Sequence, residues 1–149
     1  MNWNKDKSIV LSQVCVAVFA ALLLAVDIGC YWDVKLFAEL RNMSWQTGVG
    51  IMITVYLCSV FAWLLLWHMW GLLGNLKQAL VFTAENVRHL RVVSWCCVGA
   101  ALICLVSSLW YLPFVFVTVA AGFMALIVRI VKNVFQQALA MKSELDLTI

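Results

Sequence analysis

Charge is scarce in this chain: charged residues make up 11% of its 149 positions, against 66% that are hydrophobic. A soluble domain typically carries about 25% charged residues. So few polar side chains cannot cover a water-facing surface, and a mean hydropathy of +1.01 makes lipid the natural solvent. Proline is nearly absent, with one in the chain, and long apolar runs stand where a disordered chain would have polar tracts. The net charge of +3 is spread along the chain rather than gathered on one face, so no direct nucleic-acid interface is marked.

The signatures of catalysis are missing too. The six cysteines contain no C-x-x-C, and there is no H-E-x-x-H, no G-x-S-x-G and no phosphate-cradling glycine loop. Cys15, Cys58, Cys96, Cys97 and Cys104 lie inside apolar runs as small hydrophobes, and only Cys30 approaches an aqueous edge. No metal-ligand constellation and no internal repeat is visible. The expectation is a non-enzymatic protein without a cofactor.

What is present is a series of apolar stretches long enough to cross a bilayer, each about 20 residues or more. The basic start, Lys5 and Lys7, leads into a run too long for a cleaved signal peptide, with no small-x-small site after it, so a retained signal-anchor helix is expected. Spans are expected near 9–31, 48–73, 92–112 and 113–131, with a polar segment from Asp33 to Gln46, a loop over 74–91 and a tail over 132–149. The stretch from Val92 to Val128 holds no charge and is nearly twice the length of one crossing. Trp110-Tyr111-Leu112-Pro113 interrupts it, and proline with interfacial aromatics predicts a tight helical hairpin there, a single kinked span being the alternative. In the four-span reading Lys5, Lys7, Lys77, Arg88, Arg91, Arg129, Lys132 and Lys142 share one side, leaving Lys35 and Arg41 on the other. The positive-inside rule then predicts an all-α integral membrane four-helix bundle with both termini in the cytoplasm.

Few residues stand out within the spans. Asp27 is the one acidic residue embedded in a span, either a transport carboxylate or an interfacial residue near the outer end. His68 and His89 are expected at similar depth, solvated or hydrogen-bonded, with bis-histidine haem ligation a distant alternative. Cys96-Cys97 is a vicinal pair without the aqueous setting that thiol exchange needs. Trp63, Trp67 and Trp70 share one helical face, as a girdle or a packing seam. Gly99-Ala100-Ala101 and Ala120-Ala121-Gly122 would let spans three and four approach closely.

The segments outside the spans are more distinctive. Thr83 is placed to cap a helix, with Glu85 in its first turn and Arg88 and His89 within reach of Glu85. After Lys132 the fourth helix is expected to continue as an amphipathic extension, with Phe135 and Leu139 on one face and a frayed or strand-like end from Leu145 to Ile149. Loop and tail either pack on each other and on headgroups, or form a docking surface through Phe82, Thr83, Glu85, Asn86, Arg88, Arg91, Phe135, Leu139, Asp146 and Ile149.

Phe82-Thr83-Ala84-Glu85-Asn86 with Leu90, then Lys132-Asn133-Val134-Phe135, then the ending Lys142-Ser-Glu-Leu-Asp-Leu-Thr-Ile149 resemble a family of small bacterial membrane proteins, the domain of unknown function 2975. The resemblance runs from Lys5 to Ile149. It implies a four-span protein of the bacterial plasma membrane and brings no catalytic residues. It also implies, by association, a cytosolic transcription regulator of the helix-turn-helix type as partner. The expected role is therefore an interaction protein that holds such a regulator through its loop and tail. A small transporter or permease component using Asp27, alone or as a homo-oligomer, is the alternative, and a haem or quinone redox protein a distant third.

Overall fold

The computed structural model describes residues 3–78 and 81–147, with side chains for 7–78 and 81–145. It contains four helices, α1 (Trp3–Leu40), α2 (Trp45–Lys77), α3 (Ala84–Ser107) and α4 (Phe114–Leu147), and no strand among the described residues. Each helix is long and apolar enough to cross a bilayer, so this is a multi-pass membrane protein. Helix backbones pack in chain order, α1 on α2, α2 on α3 and α3 on α4. Among the described residues the backbones of α1 and α4 do not pack on each other.

The helices run further than the apolar stretches that announced them. The polar segment expected from Asp33 is mostly helix, because α1 continues through Asp33, Lys35 and Glu39 to Leu40. Val34 and Ala38 keep one stripe of this extension buried against Gly48 of α2. α1 then closes in a Schellman turn: Met43 N–H donates to the Ala38 carbonyl (3.0 Å) and Asn42 N–H to that of Glu39 (3.3 Å). Asn42 takes the left-handed φ of 50° that this turn needs and that asparagine tolerates. Ser44 caps α2 by accepting from the Thr47 N–H. Much of the expected loop 74–91 is helix as well, since α2 ends at Lys77 and α3 begins at Ala84.

The α3–α4 hairpin forms where proline and the aromatics predicted it. α3 stops at Ser107, and Pro113 directly precedes α4, where a missing N–H removes no helical bond. Tyr111 sits edge-on to Phe37 (ring centroids 6.0 Å apart) and to Phe114 (5.6 Å). These aromatics cover a small core of Cys30, Val34 and Ile51, so the hairpin tip ties α4 back toward α1 and α2 at this end. The frayed end expected after Leu145 is helical to Leu147, and residues 148–149 lie outside the described residues.

Candidate functional site

Several polar side chains converge on the joint between α2 and α3, at the end that carries Arg88 and Arg91. Thr83 is the N-cap of α3, its hydroxyl accepting from the Asn86 N–H at 3.3 Å. Asn86 is fully buried. Its Nδ2 donates to the Val81 carbonyl (2.7 Å), and its Oδ1 accepts from Nδ2 of Asn75 on α2 (2.9 Å). A buried amide bonded on both sides fixes the turn and the spacing of two helices. The F-T-x-E-N motif therefore has a structural core, and Asn86 forms no part of any exposed surface.

One turn into the bundle, His68 and His89 meet with their Nδ1 atoms 2.8 Å apart. One ring must donate and the other accept, so the pair holds only while at least one is neutral. The rings bond each other directly and leave no room for an iron atom between them. Gly71 makes the space: a Cβ there would fall 2.9 Å from Cε1 of His89. The remaining His89 nitrogen faces Glu85 at 3.7 Å, the neighbour expected from the i, i+4 spacing.

Of the residues expected to dock a partner, Arg88 and Arg91 are exposed, and Phe82 is 43% exposed. Phe82 packs against Phe135 of α4, ring centroids 5.5 Å apart, so the loop and the tail touch. Leu139 is half-buried. The side chain of Asp146, and Ile149 as a whole, lie outside the described residues. Beyond Phe135, α4 runs on for about 18 Å. Val134, Met141 and Leu145, at i, i+7 and i+11, are all more than half exposed along this extension.

Asp27 sits elsewhere, on α1 about 9 Å along the helix from Asp33 toward the middle of the layer. Its Oδ2 accepts from the indole Nε1 of Trp63 on α2 at 2.9 Å, and Oδ1 is buried without a partner. The Tyr56 hydroxyl reaches the Asp27 backbone carbonyl at 3.3 Å. Trp67 and Trp70 face outward, 78% and 51% exposed, so the three tryptophans form no internal seam.

Other contacts escaped the sequence. Thr54 and Ser107 share a buried hydroxyl–hydroxyl bond of 2.6 Å between α2 and α3. Cys58 and Cys104 place their sulfurs 3.7 Å apart in the same interface. Gly99, expected to draw α3 and α4 together, instead faces α2: a Cβ there would lie 2.5 Å from Cε1 of Phe61. Partners 46 or 53 positions apart leave no periodic trace. Only the choice of small or hydroxylic residues in an apolar run hints at them. Among the described residues no group of three or more His, Cys, Asp or Glu is arranged to hold a metal. Apolar openings also mark the surface, among them a groove of about 740 Å³ between α1 and α2 and a smaller one of about 160 Å³ along α3 and α4.

A family model described as a protein of unknown function, the domain of unknown function 2975, matches residues 13–149. No curated protein and no solved structure matches the chain.

Proposed function

The chain belongs to the domain of unknown function 2975 family, and from that premise we propose that it is a membrane-embedded docking protein whose basic end faces the cytoplasm and holds a soluble regulator. The observation that carries this reading is α4. It continues as one helix to Leu147 and bears an apolar stripe, Val134, Met141 and Leu145, each more than half exposed. Phe82 buttresses the base of this extension through Phe135, and Arg91 shares a cavity there with Arg129 and Lys132. An amphipathic helix offering apolar anchors at i, i+7 and i+11 is a common way to engage a partner groove. The positive-inside bias supports the orientation, since Arg88, Arg91, Arg129 and Lys132 gather at the end that carries the extension. A bacterial plasma membrane and a small helix-turn-helix partner are the setting this reading takes from the family resemblance.

The test is co-purification from native membranes in mild detergent, beside a chain truncated after Lys132. The full chain should retain a DNA-binding regulator that the truncated chain loses while its bundle still melts cooperatively. Retention by the truncated chain would refute the tail as the docking element.

One observation favours a second reading. The unpartnered, buried Oδ1 of Asp27 is a potential proton or cation ligand within the span, as a transport carboxylate would be. Asp27→Asn should then abolish gradient-driven flux in reconstituted vesicles, and unchanged flux would remove the role.

A further inference from the structure

The seam between α3 and α4 holds a feature that the docking reading does not use. Arg91, Ser94, Trp95 and Val98 of α3 and Arg129 and Lys132 of α4 line one cavity of about 220 Å³. Three cations thus face a shared space, and among the described residues no ion pair joins Arg91, Arg129 or Lys132 to a carboxylate. Like charges lining one space repel one another, and an anion between them relieves that repulsion. The cavity also opens inward. Ser94, Val98 and Arg129 line a second, apolar groove of about 160 Å³ that runs down the same seam past Ala101, Leu102 and Gly122. A Cβ on Gly122 would meet nothing within 4 Å, so the groove is open space at that depth. Trp95, 64% exposed, stands at the mouth, where an indole suits the boundary between headgroups and chains.

A basic mouth continuous with an apolar slot matches an amphiphile with an anionic head. We propose that the α3–α4 seam binds one anionic phospholipid, its phosphate among Arg91, Arg129 and Lys132 and an acyl chain in the groove past Gly122. A basic pocket between transmembrane helices is a known form of lipid headgroup site. The hydroxyl of Ser94 is already committed to the Ala125 carbonyl at 3.1 Å, which leaves the head to the cations. A free phosphate would satisfy the mouth but leave the groove without a role.

Native mass spectrometry of the full chain tests this, with phosphatidylglycerol and phosphatidylcholine of identical acyl chains offered at equal concentration. The chain should retain one phosphatidylglycerol in clear preference to phosphatidylcholine. Arg91→Gln with Arg129→Gln should weaken that retention about 25-fold, at roughly fivefold per cation removed. Gly122→Leu places a side chain in open space, so the fold should stand while lipid retention falls. Inorganic phosphate and glycerol phosphate should fail to displace the lipid. Equal retention of both lipids, or undiminished retention by the double variant, would overturn the proposal. Displacement by inorganic phosphate at matched concentration would also overturn it, reassigning the mouth to the free anion.

Discussion

α1 and α3 are both apolar enough to span a bilayer, and they meet opposite fates. α1 is the more hydrophobic of the two, yet none of its most apolar window is buried, whereas 39% of that of α3 is. In water the order would be reversed. In lipid, hydrophobicity gives no reason to leave the solvent, and helices associate through close packing and hydrogen bonds between side chains. α3 is supplied with both. It meets α2 through Thr54–Ser107, His68–His89 and Asn75–Asn86, and through Phe61 seated over Gly99. It meets α4 through Ser94. α1 has Asp27–Trp63 and a short packed stripe around Cys30, Val34 and Ala38. Its other half, from Leu11 to Val26, faces α2 across the large apolar groove. α3 is thus the centre of the frame, packed on both α2 and α4, and α1 is fastened to α2 at one end.

Substitutions break or sharpen this contrast in a definite order. Gly99→Val should have the largest effect, because even its first carbon would overlap the Phe61 ring. Overpacking of this kind costs about 1–3 kcal/mol or more, read as a lowered melting temperature by circular dichroism in detergent. Adding Phe61→Ala should recover much of that loss, and no recovery would mean that the overlap is not the cause. Asn86→Leu removes a buried amide and strands both Asn75 and the Val81 carbonyl, at a cost of about 1–3 kcal/mol in the same melt. Thr54→Val keeps the shape and deletes one interhelical hydroxyl bond, so a loss of about 0.6 kcal/mol is expected, near the mean for such bonds in membrane proteins. Trp63→Phe should leave the α2–α3 melt least changed. It removes the one N–H that holds the Asp27 carboxylate, and its effect belongs to α1. Greater modification of Cys30, now buried, by a membrane-permeant maleimide would report α1 loosening. An unchanged Cys30 would show that the Asp27 bond does not fasten the helix.

Much of the architecture was legible because its signals are local. Long charge-free stretches marked the four helices, Pro113 with its aromatic neighbours marked the hairpin, and Thr83 was recognisable as a cap. The helix ends were not legible. A charge such as Lys35 or Arg88 ends an apolar run without ending a helix, since backbone bonding does not depend on the solvent beside it. Interhelical partners were hidden for another reason. Nothing in the spacing of Asp27 and Trp63, or of Thr54 and Ser107, says that two helices bring them together. The small-residue motif at Gly99 was legible as a point of close approach, but which neighbour it admits depends on rotation of the helix, which a nearly uniform apolar surface conceals. The loop and tail were legible as amphipathic segments, while the burial of Asn86 inside the motif was not.

The docking account is tested most directly by placing a photo-crosslinking residue at Met141, on the exposed stripe of α4, and at Trp67, on the outward face of α2, in the full-length protein in native membranes. The account predicts a discrete adduct with a soluble DNA-binding protein from Met141 and lipid adducts alone from Trp67. Lipid adducts alone from both positions would contradict it, placing the α4 extension on the membrane surface instead of on a partner.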